Sequence, residues 1–258
     1  MKEVIIDKSK TIQIPVIIGN EEDLMSCGFA ATDVYAPVLM KDVVYGGGQF
    51  FENYPRAIFI NTDDLFHIEN AEFFSLIAYS MRFAIENSSS LYGYIINHLY
   101  ELCDLNHETL EELLEEIYKV HRKIIINKTK EERKMISLME ALEDCILSID
   151  AFPSCDCVAY GCIAGAYYSA RSGLLSKEEY YEIRDMFVPF GLSISQTRLN
   201  QKELYEIAYE HLNNREDLNR ILVLKKIGKL NDAFELENKE LFNEDIFDSI
   251  YFDENNYD

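Results

Sequence analysis

Positive charge is what this chain has least of. Of 258 residues, 24 are Lys or Arg against 46 Asp or Glu, a formal net charge of −22. That field repels nucleic acid and anionic membranes and leaves basic proteins as possible partners. Long apolar runs are also missing. No stretch approaches the roughly 20 apolar residues of a membrane span. The opening MKEVIIDKSK is too charged, and its apolar run too short, to read as a secretory leader. Histidine is scarce: His67, His98, His107, His121 and His211 are scattered and form no readable nucleophile–base pair. With no G-x-S-x-G elbow and no Walker loop, acyl and phosphoryl transfer are not readable chemistries. Cys27, Cys103, Cys145, Cys155, Cys157 and Cys162 show no framework spacing. Free thiols in a reducing compartment, and so a cytoplasmic protein, are the expectation.

What is present is an apolar fraction of 48%, enough for a real core in one large domain or two small ones. Residues 1–60 are the least helical part. The β-branched runs Val4–Ile6, Ile12–Ile18 and Ala57–Asn61 predict three short strands. Gly46-Gly47-Gly48 marks a loop. Three glycines can cradle a phosphate, but no helix start or Lys follows, so a plain turn is the simpler reading.

From Asn70 the pattern turns helical, over Ala71–Asn87, Leu91–Cys103, His107–Ile126, Lys130–Leu147, Cys157–Ser172, Lys177–Phe190 and Gln201–Asn213. Asn106 is placed as an N-cap, and Ser176 with Glu179 as a capping box. Ile221–Leu224 predicts a short strand, closed by Gly228. From Asn231 the chain becomes strongly acidic, with aromatics at intervals. Two readings stay open there: a solvated tail, or a terminal helix docked on the body or on a partner.

In Ala71–Leu91, Phe74, Ile77, Ala78, Met81 and Ile85 recur at helical spacing. Together with Pro55 and the strand-like Ala57–Asp63, this stretch resembles 3-dehydroquinate synthase where its nucleotide-binding and metal-binding domains meet. Tyr79 stands where the family's AEVIK motif has a metal-ligating Glu, and Arg82 where it has Lys. Three further segments fit in the same order. Between Ile14 and Thr32, Asp23 matches a loop Asp and Gly28 the second Gly of the family's GGK loop, with Phe29 in place of the Lys. Lys41-Asp42 resembles its GKN motif. In Lys123–Leu147, Arg133 retains the substrate Arg and Ser137 replaces an Asn. Glu140 and Asp144 replace two His at i and i+4, a spacing that turns both toward one metal. In Ser154–Leu192, Val158-Ala159-Tyr160-Gly161 overlays VAIG and Gly173-Leu174-Leu175 overlays GLL. The last metal-ligating His falls on Ser154 or Cys155. Arg220–Leu224 with Ile227-Gly228 resembles the family's closing strand, while its paired Lys fall on Leu212 and Asn213.

The resemblance covers about residues 12–230. It implies a mainly α protein: a helical domain at 67–230, like the C-terminal domain of 3-dehydroquinate synthase. A truncated α/β remnant at 1–66 precedes it, and an acidic aromatic tail at 231–258 follows. Little precedes the matched strand where the family has a dinucleotide fingerprint, so an incomplete NAD site is expected. All three metal-ligand positions are changed, and Tyr is a poor Zn(II) ligand. The expectation is therefore no NAD and no Zn, the family's cofactors, and a non-catalytic binding, regulatory or partner subunit. Synthases of this family are usually homodimers, which implies a homo-oligomer or a complex with another protein.

The alternative is an active cyclase-type lyase with altered ligands or a site shared with a partner chain. For it speak Lys41, Arg82 and Arg133, which can hold an anion. Glu140, Asp144 and Asp156 can take Mg(II) or Mn(II), or are simply a solvated acidic face. Cys155 and Cys157 with Cys145 and Cys162 can form a thiolate cluster, or are small core residues. A third reading is an interaction module working through 231–258.

Overall fold

A computed structural model describes residues 16–19, 34–37, 40–45, 57–58, 70–213, 221–234 and 244–251. Three short strands form a parallel sheet in the order β1 (Val16–Gly19), β2 (Val34–Pro37), β3 (Ala57–Ile58). Val34 is in register with both Val16 and Ala57. Two of the expected strand regions thus carry strands, while β2 was not legible. Parallel neighbours need crossover connections, and α1 (Met40–Tyr45) lies in the second of them. Val4–Ile6, Asp23, Gly28 and Gly46–Gly48 lie outside the described residues.

The rest is helical. α2 (Asn70–Asn87) runs through the centre, with Leu76, Ile77, Met81 and Ile85 buried. α3 (Ser89–Asn97) starts where Ser88 Oγ accepts from the Leu91 amide, and His98 separates it from α4 (Leu99–Cys103). α5 (His107–Asn127) is capped by Asn106, whose side chain accepts from the Thr109 amide. α6 (Lys130–Arg133) and α7 (Leu138–Leu147) are distinct because Ser137, in extended conformation, caps α7. α8 (Ser154–Arg171) is followed by α9 (Lys177–Asp185), which starts on the expected Ser176/Glu179 capping box. A 3-10 turn at Val188–Phe190 carries Pro189 and is closed by Gly191 at φ 72°. α10 (Gln201–Asn213) completes the set. Three stretches expected as single helices, Leu91–Cys103, Lys130–Leu147 and Lys177–Phe190, are therefore each two segments. In the first His98 alone divides the stretch, in the second residues 134–137 do, and in the third α9 ends ahead of the Pro189 turn.

α8 is the hub, packed against α7, α2 and α9. Its contact with α7 is close because it presents glycines one turn apart. A Cβ on Gly161 would stand 2.5 Å from the Met139 carbonyl oxygen, and one on Gly165 would stand 2.7 Å from Met139 Cγ. Close backbone approach is what glycine permits in a helix, at a cost in helix propensity.

β4 (Ile221–Lys226) and β5 (Lys229–Phe234) form an antiparallel hairpin. The division placed at residue 230 falls inside β5, so strand pairing joins the start of the acidic segment to the body. The Leu222 amide donates to Ile136 O at 3.0 Å, and the turn's Gly228 amide donates to Ile85 O at 2.7 Å. Gly228 has φ 83°, and a Cβ there would run into the Ser89 backbone nitrogen. Further on, the 3-10 segment Glu244–Ile250 buries Ile246, Phe247 and Ile250 against α8 and α10. The Gln196 amide donates to Ile250 O at 2.7 Å, and Arg171 pairs with Asp245 at 2.8 Å. This part of the acidic segment is docked on its own body, one of the two readings left open.

Candidate functional site

The middle of α2 carries an unusual residue for a central helix: Arg82, with none of its surface exposed. Its neighbours come from α1 and α7. Nε donates to the Tyr45 hydroxyl at 2.6 Å, and Nη1 pairs with the Glu143 carboxylate, itself buried. Nη2 lies 4.0 Å from Glu140 Oε1, which lies 3.9 Å from Lys41 Nζ at the rim. The guanidinium also sits 5.1 Å from the Tyr45 ring centroid and 5.8 Å from that of Tyr79, within cation–π range. Burial alone would lower the Arg82 pKa. Tyr45, Glu140 and Glu86 outweigh it and hold the group charged well above its ordinary range.

One turn further along α2, Glu86 is buried and accepts a hydrogen bond from Ser137 Oγ. Ser137 Oγ in turn accepts from the Glu140 amide at 3.0 Å, so one hydroxyl caps α7 and solvates Glu86. Burial pushes the Glu86 carboxyl up to about 7, partly offset by the Arg82 charge. Burial raises Tyr45 as well, against the pull of Arg82, and it raises Cys162 beside them. Tyr45 and Cys162 are neutral near pH 7 and Glu86 is about half protonated there, so the permanent buried charge is that of Arg82.

The positions singled out in the sequence fall around this cluster. Tyr79 is buried, and its pKa is raised first by burial, with Asp144, Cys157 and Cys155 adding to the rise against Arg82. Tyr79 therefore lies within electrostatic range of Asp144 and Cys155. Ser154 Oγ lies 3.3 Å from Ser75 Oγ. Asp144 also borders a shallow depression with Leu147, Ser148 and His211. Arg133 is half-buried near His121, whose pKa falls to about 4 through burial and the Arg133 charge. Asp156 belongs to a separate cleft with Phe152, Tyr160, Gln196 and Arg198, and accepts from the Ser193 amide at 3.1 Å.

Glu140, Asp144 and Asp156 are thus not brought together as one ligand set. Among the described residues no group of three or more His, Cys, Asp or Glu is placed to hold a metal ion. The cysteines are separate too: Cys145 Sγ approaches Ala208 O and Cys157 Sγ approaches Phe152 O, and burial pushes the Cys157 thiol up to about 12. Among the described residues no helix is long and apolar enough to cross a membrane.

Sequence reasoning missed Tyr45, Glu86 and Glu143, the partners that make Arg82 tolerable. One signal was available: Glu143 lies on α7 three residues after Glu140, between Leu142 and Cys145, where an apolar stripe runs.

No protein-family model matches the chain. Among curated proteins, a 3-dehydroquinate synthase of Thermoanaerobacter pseudethanolicus is 21% identical over 223 residues, covering 84% of this chain and 60% of that protein. A 3-dehydroquinate synthase of Campylobacter concisus is 23% identical over 186 residues, covering 70% and 52%. The chain thus spans between about half and three fifths of the length of these relatives. Among solved structures, 2-epi-5-epi-valiolone synthase of Streptomyces hygroscopicus, with NAD+ and Zn2+ bound, superposes with a TM-score of 0.67 at 11% identity, covering 88% of this chain and 70% of that one. A 2-deoxy-scyllo-inosose synthase complexed with carbaglucose-6-phosphate, NAD+ and Co2+ gives 0.56 at 14% identity, covering 91% and 74%. Glycerol dehydrogenase of Schizosaccharomyces pombe gives 0.54 at 13% identity, covering 84% and 65%.

Proposed function

From the premise that this chain is a 3-dehydroquinate synthase-like protein with a sugar-phosphate-cyclase fold, we propose that it is a catalytically degenerate member serving as a binding, regulatory or partner subunit. One observation carries the reading. Beside the aligned metal-ligand positions, where the family has a Lys, Arg82 is buried and paired with Glu143 and Glu140. Glu140 stands at one of the two aligned His positions, and a neutral, buried Tyr79 stands at the Glu position. A phenol of raised pKa is a poor donor to a dication, and Glu140 is already shared between Arg82 and Lys41. The donor set is therefore a poor fit to Zn(II), and no catalytic step is assigned through it. For NAD, the aligned Asp23 and Gly28 lie outside the described residues, and Lys41 is turned toward Glu140.

A second reading is kept for one reason. Arg133 holds a cation at the family's substrate-Arg position, next to a neutral His121. A lyase completed by a second chain would use it to bind an anionic substrate.

Protein purified without a chelator separates the two readings. Elemental analysis, a thermal-shift titration with NAD and Zn(II), and turnover of the synthase's sugar-phosphate substrate are measured with and without a full-length synthase. No metal, no NAD shift and no turnover, with a stable complex between the chains, is the expected result. Stoichiometric metal with turnover would replace this reading with the second.

A further inference from the structure

We infer that the cleft beside the start of α8 is a binding site for a small zwitterion, an α-amino acid whose carboxylate meets Arg198 and whose ammonium meets Asp156. The cleft is separate from the Arg82 cluster, and what it binds does not depend on the degenerate role proposed above.

Three observations carry it. The first is room. The cleft holds about 440 Å³ between the first turns of α8 and the loop after Gly191, within the range of small-molecule sites. The second is a pair of opposite charges kept apart. Asp156 accepts from the Ser193 amide through Oδ1 alone among the described residues, at 3.1 Å. Arg198 is exposed and lies over the Phe152 ring, 5.5 Å from its centroid. Among the described residues it makes no ion pair, with Asp156 or with any other carboxylate. The ring supports the guanidinium while its N–H groups stay available.

The third is a scaffold fixed before any ligand arrives. Gln196 is buried and closes its own turn. Its Oε1 accepts from the Leu199 amide at 2.9 Å, and its Nε2 donates to the Leu199 carbonyl at 2.7 Å. That turn carries Arg198. The Tyr160 hydroxyl donates to Ser195 O at 3.1 Å, which also accepts from Ser193 Oγ at 2.8 Å. These bonds tie the loop to α8, and the Gln196 amide ties it to Ile250. A site whose walls are already ordered loses little entropy on binding.

Charge selects the ligand class. One cation and one anion in a single cleft match a ligand with no net charge. A net anion would meet Asp156 and the field of a chain of net charge −22, and a net cation would meet Arg198. A zwitterion satisfies both groups, and its carboxylate suits the guanidinium fork.

Thermal shift of the full chain, followed by titration calorimetry, tests this with the common L-α-amino acids. Each is compared with its amide, which lacks the carboxylate, and with the corresponding carboxylic acid, which lacks the ammonium. At least one amino acid is expected to give a saturable rise in Tm at up to about 10 mM, and both of its analogues to bind at least about tenfold more weakly. Arg198→Gln and Asp156→Asn remove the two contacts. Neither residue is fully buried, and an Asn carboxamide still accepts from the Ser193 amide, so both variants are expected to unfold within about 2 °C of the parent. Each is expected to lose at least about tenfold in affinity. The analogue comparison is made on the parent protein, so it decides the matter even if a variant folds poorly. No saturable shift with any amino acid overturns the inference. So do analogues that bind as tightly as the amino acid, or binding that either variant leaves unchanged.

Discussion

Ser137 and Glu86 lie 51 positions apart in the chain, and the hydroxyl of one donates to the buried carboxylate of the other. The same hydroxyl accepts the Glu140 amide and so starts α7. Capping and carboxylate solvation therefore share one atom, and the ionisation of Glu86 is coupled to the packing of α2 on α7.

This coupling predicts a pH dependence. Burial raises Glu86 from 4.5 to about 7 in the fold. The folded state then holds the proton more tightly than the unfolded one, so this contribution is fully present below about 4.5 and lost as pH rises through 7. The span corresponds to on the order of 3 kcal/mol. Glu86→Gln mimics the protonated form, so its stability relative to the parent should rise between pH 5 and pH 8. Urea midpoints at both pH values measure this, and a constant difference between the two proteins would refute it.

His121 predicts the opposite slope. Burial, with the Arg133 charge, lowers it from 6.5 to about 4. Its contribution is present above 6.5 and lost as pH falls through 4, again on the order of 3 kcal/mol. His121→Phe cannot take up a proton and keeps the ring packing near Phe83 and Tyr118. The parent should lose more stability than this variant between pH 7 and pH 4.5, as read from chemical denaturation. Equal losses would show that His121 is not the group responsible.

The α7–α8 contact predicts an order between two small substitutions. Gly161→Ala drives a methyl group into the Met139 carbonyl and toward the Glu143 amide, both main-chain atoms. Gly165→Ala meets first the side-chain Cγ of Met139, which a rotamer change can move, with that residue's backbone nitrogen next at 3.2 Å. Both should destabilise, by about 1–3 kcal/mol. Gly161→Ala should be the worse of the two, and it also moves the backbone that carries Glu143. Thermal unfolding of the two variants decides this, and the reverse order would show that the interhelix gap is wider than the structure places it.

The docked 3-10 segment is tested at Phe247, which is fully buried. Phe247→Ala should cost about 3–5 kcal/mol, as for other buried aromatics. A solvated tail would show almost no change, and calorimetry tells the two apart.

How legible this was in the sequence depends on the residue. The helices from Asn70 onward were readable because their apolar spacing and caps are local signals: Asn106, Ser176 and Glu179 act as expected. The breaks at His98 and at residues 134–137 were not, because so short an interruption barely disturbs a periodic pattern. The docking of Phe247 depends on the far-off surfaces of α8 and α10, which no local window contains. At the candidate site the departures from the family's residues were legible at Tyr79, Glu140 and Asp144. The chemistry gained was not. Glu143 stands out as a carboxylate in an apolar stripe, but its partner, 61 positions away, lies beyond any local window.

A bound ion exchanges with its surroundings, so a fold built around one answers to supply, to competing ions and to chelation. The charge on Arg82 is tethered by covalent bonds and travels with the polypeptide from synthesis. The link it makes from α2 to α1 and α7 is therefore complete as soon as those three helices meet. Its only route to losing that charge is a change in the codon for residue 82.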